Sequence, residues 1–207
     1  MLFGAGGHGK VVLDALLALG YPPAVIVVAD ESGDLRGRSV LGIQVRVQIA
    51  GAQQWSGPFH VAIGNGLVRA RIAAALLAKG AKALTVVHPA AVVAPSATLG
   101  SGSFIAAGAV VGPEAWLGNG VIVNHGAIVD HGCSVGDFAH IGPNATIGGG
   151  ACVGAGSLIG AGAAVLAGGS IGEGAIVGAG AVVVAPVGSM ETHVGVPAAR
   201  VVRREVD

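Results

Sequence analysis

Charge is scarce in this chain. Only 11% of its 207 residues are Asp, Glu, Lys or Arg, and the formal net charge is zero. That leaves no basic stripe for nucleic acid and no surface built for a polyanion. Cysteine is scarcer still: Cys133 and Cys152 are the only two, which excludes a disulfide framework and makes both small packing residues. No Leu/Ile/Phe-rich span is long enough to cross a membrane, although the mean hydropathy is +0.76. That value comes from Ala and Val diluted by 38 glycines. The opening MLFGAGG lacks the basic and apolar regions of a secretory signal, so the expectation is a cytoplasmic protein without membrane association.

What the chain does have is a repeat. From Ala91 to Pro186 it reads in sixteen uninterrupted hexads, from AVVAPS through AIVDHG to AVVVAP. The third position is Val, Ile or Leu every time, and the first is small throughout except at Val121. A short fixed period of this kind marks a solenoid. Glycine is too frequent for a helix and the period is six, not 3.6; nor does glycine fall at every third position as in collagen. Each hexad instead supplies a short strand and a corner, with the third side chain pointing inward and glycines at positions four and six where the chain turns. Three hexads make one coil of a three-sided parallel β-helix, so residue i stacks on i+18. Sixteen hexads give about five coils, a stack of roughly 25 Å at ~4.8 Å per coil. Each inward aliphatic contributes about 1.5–3 kcal/mol, so the column is worth tens of kcal/mol gross, as an upper bound.

Before the repeat, periodicity changes. Leu2-Phe3 runs into Gly4-Ala-Gly-Gly-His-Gly9, followed by a helical pattern through Leu19 that Gly20 and Pro22-Pro23 close. Ala24–Ala29 reads as a buried strand ending at Asp30-Glu31-Ser32-Gly33. Phe59–Ile63 is a second, ending at Gly64-Asn65-Gly66; a helix follows over Leu67–Ala78 and a strand over Leu84–Val87. Strands alternating with helices predict a parallel α/β domain over residues 1–88, a β-helix over 89–186 and a tail without hexads over 187–207.

Gly4, Gly6 and Gly9 satisfy G-x-G-x-x-G between a strand and a helix, and Asp30 lies about 20 residues on, as in a dinucleotide fingerprint. Gly4–Lys10 also fits G-x-x-x-x-G-K, but Val11 stands where a phosphate-binding loop needs Ser or Thr. The same glycines serve a nucleotide-sugar site equally well, because a diphosphate can approach the backbone and meet the free N–H groups of the helix N-terminus. An NAD domain would need a site for hydride chemistry downstream, and a hexad prism is not a usual one.

GGHG at 6–9, the pair Asp30-Glu31, AIGNG at 62–66, the run from Asn124 to His131, D-F-x-H at 137–140 and GVPA near the end together resemble the hexapeptide-repeat nucleotide-sugar acetyltransferases of surface-glycan pathways. That group includes the bacillosamine- and perosamine-type N-acetyltransferases and the related sialic-acid O-acetyltransferases. The resemblance covers nearly the whole chain. It implies a Rossmann-like domain followed by a β-helix that winds left-handed, and acetyl-CoA as co-substrate with no metal. Gly6, Gly7 and His8 would contact the acceptor, Asp30 and Glu31 the base or ribose, and Gly64 and Asn124 would border the same substrate. His131 matches the general base and His140 a residue near the thioester. Ala161 and Ala179 match positions lining the coenzyme A channel, and Gly149 would offer its N–H to the oxyanion. Relatives often carry an acid directly after the base, where Gly132 stands here; Asp130 is the substitute the sequence offers.

Acetyl transfer to an amine requires loss of a proton, a donor for the tetrahedral oxyanion and alignment of the reactants. An imidazole suits the first task, since its ordinary pKa is about 6.5. His131 occupies the fifth position of its hexad, an outward corner, and His125 the same position one corner earlier, so the two face different directions. Outward catalytic corners leave a site half-built in one chain, so a homotrimer with active sites between subunits is expected. His60 and His88 read as structural. The leading expectation is N-acetylation at the C4 amine of a nucleotide-linked sugar, with O-acetylation the alternative. A zinc lyase of the γ carbonic-anhydrase type would carry an H-x4-H pair, whereas the spacings here are 6 and 9. A non-catalytic nucleotide-sugar scaffold is the remaining alternative.

Overall fold

The computed structural model describes residues 1–35, 37–47 and 55–201; the last part of the expected tail, 202–207, lies outside the described residues. The N-terminal sheet contains, in chain order, β1 (Leu2–Phe3), β2 (Val28–Asp30), β3 (Ser39–Val40), β4 (Ile43–Val47), β5 (Pro58–Val61) and β6 (Lys82–Ala83). Their spatial order is β3-β4-β2-β1-β5-β6, all parallel except the β3–β4 hairpin. β1 is only two residues long, but it is paired on both sides and both its side chains are buried. The chain leaves β1 for β2 on one side and later returns to β5 on the other. The C-terminal ends of β1 and β5 therefore flank a topological switch point, where open α/β sheets bind ligands. Two helices, α1 (Gly7–Ala18) and α2 (Gly66–Leu77), start at that edge.

The strand expected over Ala24–Ala29 is shorter than the sequence suggests. Pro23 opens a 3₁₀ turn over Pro23–Val25, and extended pairing begins only at Val28. A proline lacks the N–H a strand would donate and its fixed φ suits the first turn of a helix. The strand expected over Leu84–Val87 also changes allegiance. Val86–Val87 pairs in parallel with Phe104–Ile105 and is the first strand of the prism, so the hexad period begins one repeat before Ala91.

From Val86–Val87 to Val182–Val183, seventeen two-residue strands recur every six residues on three flat faces. The first face stacks Val86, Phe104, Ile122, His140, Leu158 and Ile176; the second carries Val92, Val110, Ile128, Thr146, Ala164 and Val182; the third carries Thr98, Trp116, Ser134, Cys152 and Ser170. Strand partners are 18 residues apart, such as Phe104 with Ile122 and Ile122 with His140. Third-position side chains fill the interior, Ile105, Leu117, Ile141, Ile147 and Ile159 being fully buried.

The two glycine positions answer different demands. At position six the backbone is left-handed, with φ between 61° and 74° at glycines such as Gly108, Gly132 and Gly150. At position four the next coil passes too close for a side chain: a Cβ on Gly136 would lie 2.5 Å from the Ala155 nitrogen.

The expected tail is not loose where it is described. Thr192–Val194 extends the first face beyond Ile176–Val177, and Ala199–Arg200 turns back antiparallel upon it, closing the sheet edge. The Glu191 carboxylate holds this closure, 2.9 Å from His193 Nε2 and 3.0 Å from Arg200 Nη1.

The N-terminal domain rests on the first face. Val12, Leu13 and Leu16 of α1 share one buried cluster with Val86, Phe104 and Ile122, whose side chains point out of the prism. On the far side of the sheet, Phe138 packs against the cluster of Phe59, Ala73 and Leu76. The fold thus sets the sheet's ligand-binding edge above the middle coils of the prism.

Candidate active site

Apart from Ala161 and Ala179, the expected site residues gather in three places. The first is the edge of the N-terminal sheet. Gly4 (φ +104°) approaches the Ala62 carbonyl so closely that a Cβ would sit 2.6 Å from its oxygen, and a Cβ on Gly9 would sit 2.1 Å from the Gly4 oxygen. Gly6 and Gly7 are different, since a Cβ on either would meet nothing within 4 Å. They form the open rim of the loop, and Gly6 caps α1 without a side-chain bond or an acidic residue in the first turn. Asp30 lies beneath this loop: its carboxylate oxygens accept from the Ala5 amide (2.7 Å) and the Ser32 amide (2.9 Å). It therefore pins the loop, and exposed Glu31 is the carboxylate of the pair that makes no such bond among the described residues. Both line a cavity of about 100 Å³ with Gly4 and Ile63.

His8 turns from the loop toward the prism. Its ring packs edge-on against Phe104 (5.5 Å between centroids) and 6.1 Å from the His140 ring. Burial above all, helped by the nearby His140, His60 and Arg69, pushes its pKa down to about 3, so the ring is neutral at physiological pH. Its Nε2 is the one buried side-chain nitrogen or oxygen among the described residues without a hydrogen-bond partner.

The second place is the first face around His140. Asn124 Nδ2 lies 3.2 Å from His140 Nε2, and His140 Nδ1 lies 3.3 Å from the Gly64 carbonyl oxygen. Burial, then the charge of Arg69, lowers the His140 pKa; the bond to Gly64 works against them. His140 and Gly64 sit at one end of a cleft of about 530 Å³ that runs past Leu158 and Ile176 to Met190. Ala161 and Ala179 are not in this cleft. They stack on the corner between the first and second faces, above Ala107, His125 and Pro143.

The third place is the next corner, between the second and third faces, where His131, Gly149 and Ala167 stack. Asp130 Oδ1 accepts both from the His131 amide (2.6 Å) and from the imidazole Nδ1 (2.9 Å). That bond fixes Nδ1 as the donor and leaves Nε2 a free acceptor. Those same bonds from His131 hold the Asp130 carboxyl below its usual pKa range. The ring is 68% exposed yet has a floor, because a Cβ on Gly149 would lie 2.4 Å from its Cε1 and 2.6 Å from its Nε2. Gly132 adopts the left-handed conformation common to position six (φ +64°), and Asp130 is the acid that holds the ring. Within one chain, then, the imidazole corner and the Asn124–His140 group stand on different sides of the prism.

His60 and His88 have structural partners. His60 is buried with Nδ1 2.9 Å from the Leu84 carbonyl oxygen, and its pKa is pushed down to about 4, mainly by burial. His88 Nδ1 accepts from the Ala90 amide. Among the described residues no three His, Cys, Asp or Glu side chains cluster as metal ligands, and no helix is long and apolar enough to cross a membrane.

Sequence reasoning missed Arg69. It is 1% exposed and lies where α2 meets the prism, with no carboxylate partner among the described residues. Its Nε donates to Gly120 O (2.7 Å), Nη1 to Ile63 O (2.7 Å) and Gly64 O (3.0 Å), and Nη2 to Phe138 O (2.6 Å) and Ala139 O (3.3 Å). Burial lowers its pKa to about 10, which leaves it charged at neutral pH. The signal was present: Arg69, Ala73 and Leu76 share one helical face, so the arginine falls on the buried side.

The family description "PglD N-terminal domain" matches residues 1–76, and "Bacterial transferase hexapeptide (six repeats)" matches residues 132–167. Among solved structures, the chain is similar to the acetyltransferase domain of PglB from Neisseria gonorrhoeae FA1090 in complex with acetyl coenzyme A. Identity is 38% over 97% of both chains, with a TM-score of 0.90. It is also similar to a histidine-to-alanine mutant of GDP-perosamine N-acetyltransferase from Caulobacter crescentus in complex with CoA and GDP-perosamine, with 36% identity over 98% of this chain and 96% of that one and a TM-score of 0.90. WeeI from Acinetobacter baumannii AYE is 26% identical over 97% of this chain and 98% of its own, with a TM-score of 0.89. The search of curated proteins found no match.

Proposed function

The chain belongs to the hexapeptide-repeat nucleotide-sugar acetyltransferases, a Rossmann-like sheet followed by a left-handed parallel β-helix, and we propose that it transfers the acetyl group of acetyl-CoA to the C4 amine of a nucleotide-linked amino sugar. In this reading residues 1–88 hold the nucleotide and residues 89–186 carry out the transfer in the cytoplasm. The observation that carries it is the Asp130–His131 pair, an oriented imidazole whose Nε2 lone pair faces outward from the prism.

The sugar nitrogen gives a proton to His131 Nε2 as it attacks the thioester carbonyl, forming the C–N bond. The tetrahedral oxyanion takes a hydrogen bond from the Gly149 N–H. Collapse breaks the C–S bond, and the thiolate of coenzyme A takes the proton back from His131. Asp130 holds the imidazole in the required tautomer and stabilises the transient imidazolium. The open rim at Gly6 and Gly7 receives the diphosphate, while Glu31 and the unpaired Nε2 of His8 are the groups left for base, ribose or sugar. His140 and Asn124 flank the thioester, and Ala161 and Ala179 line the coenzyme arm.

Because His131 and Ala161 stand on different corners of one prism, the complete site needs two copies, and a homotrimer supplies three such junctions. The second face between those corners presents Val92, Val110, Ile128 and Val182, an apolar surface suited to self-association. Thiol release from acetyl-CoA, followed with UDP- and GDP-linked 4-amino sugars beside sedimentation of the same sample, tests the reading. Acceleration by one amino sugar and a trimer are expected. No response to any 4-amino sugar, or full activity in a monomer, would refute it.

A further inference from the structure

The hydrogen bonds around His140 leave one consistent arrangement of protons. The His125 backbone amide is a donor and bonds to Asn124 Oδ1 at 2.9 Å. The other end of that side chain, Nδ2, therefore faces His140 and donates to its Nε2, 3.2 Å away. Nε2 being an acceptor, the imidazole proton is on Nδ1, which donates to the Gly64 carbonyl. That carbonyl also receives a hydrogen bond from Arg69.

Arg69 reaches further than Gly64. It spends all five of its N–H donors on carbonyls from three segments: the exit of β5, the coil at Gly120, and Phe138–Ala139, which lead directly into His140. Phe138 is a bulky residue held at φ +57°, in the left-handed position that glycine fills in most coils. Its carbonyl is the one Arg69 grips at 2.6 Å. A buried guanidinium is tolerated only when every donor is satisfied, and here all five donors bond carbonyls, so each of these carbonyls is fixed relative to the others.

We propose that Arg69 is a positioning residue for the transfer reaction: it locks His140 in the Nδ1–H tautomer, so that the Asn124 side-chain amide, rather than the imidazole, presents an N–H to the bound thioester. Asn124 Nδ2 carries two hydrogens and His140 takes one; the second is left for a ligand. His140 in this tautomer has no N–H to give at Nε2. The inference rests on the acetyl-transfer reading for its consequence, but the tautomer itself does not depend on activity.

The test is long-range ¹H–¹⁵N correlation on full-length protein labelled at the histidine rings, at neutral pH, with His140 assigned by its loss in His140→Gln. The wild type should show a bare Nε2 and a protonated Nδ1; a protonated Nε2 would overturn the proposal. Arg69→Lys keeps a positive charge but cannot bridge five carbonyls, and Arg69→Gln places a neutral amide near Gly64. In whichever variant folds, His140 should become a mixture of tautomers, and kcat/KM for acetyl-CoA should fall about tenfold or more, since a displacement near 1 Å costs up to about 10²-fold. Retention of the single tautomer and of kcat/KM within about twofold would overturn it. Should neither variant fold, the wild-type tautomer decides alone. If no 4-amino sugar is acetylated yet His140 shows a bare Nε2, the function reading fails while the tautomer assignment stands.

Discussion

Replacing Gly149 by alanine is the most discriminating test of the imidazole corner. The backbone there accepts alanine: Gly149 is not among the left-handed glycines, and Ala161, Ala167 and Ala179 occupy the same hexad position in other coils. The added methyl would nevertheless lie 2.4 Å from Cε1, 2.6 Å from Nε2 and 3.0 Å from Nδ1 of His131. Carbon atoms rest about 3.5–4.0 Å apart, so the ring must withdraw by about 1 Å. A shift of that size takes Nδ1, now 2.9 Å from Asp130 Oδ1, out of hydrogen-bond range. A misplaced base of this kind costs about 10²-fold, close to 3 kcal/mol of barrier. The ring is 68% exposed, so it can swing into solvent without leaving a cavity, and the melting temperature should stay near that of the wild type. The Gly149 N–H survives in alanine, which separates seating of the base from donation to the oxyanion. Steady-state thiol release should show kcat down about 10²-fold, with KM for both substrates little changed. A kcat within about threefold of wild type would refute the argument that His131 needs its glycine floor.

Three further outcomes are expected. His131→Ala should lower kcat by about 10²–10⁴-fold with little change in either KM, and His125→Ala should cost far less because it stands on another corner; equal losses in the same assay would contradict this. Gly7→Val puts a side chain where none now meets anything within 4 Å, so it should raise the acceptor KM strongly and leave acetyl-CoA binding by titration calorimetry unchanged. Micromolar NAD binding by the wild type would instead favour the dinucleotide reading of that loop. Burial holds the His60 pKa at about 4, below the ordinary 6.5 of the unfolded chain, so its contribution is fully present above pH 6.5 and is lost as pH falls toward 4. That loss amounts to roughly 3 kcal/mol. Thermal melts across this window should flatten in His60→Asn, which cannot acquire charge; an unchanged slope would show that another group governs acid stability.

The hexad rhythm was enough to fix the prism. Period six, an inward aliphatic at position three and glycines at four and six are local consequences of coil geometry, and every one of them is written in the residues from Ala91 to Pro186. Slot arithmetic also separated His125 from His131, since stacking at i+18 is a property of the period. The glycine loop and its place between a strand and a helix were legible for the same reason, because close backbone approach leaves only glycine.

Where the period broke down, the sequence was silent. Prolines at 22 and 23 shortened a strand that hydropathy alone extends to Ala24, and Val86–Val87 could join either sheet until a partner 18 residues away was in place. The resemblance implies Asp30 as a contact for the base or ribose, and folding also brings it beneath Ala5, 25 residues away, where it pins the loop. Arg69 shows the limit most clearly. Its meaning lies in carbonyls at positions 63, 64, 120, 138 and 139, and no pattern of side chains records where carbonyls will meet. The sequence alone therefore determined which backbone the chain can form, because those constraints act between near neighbours. Only the tertiary structure decided which groups share a hydrogen bond, because that depends on how the sheet's edge comes to rest on the prism.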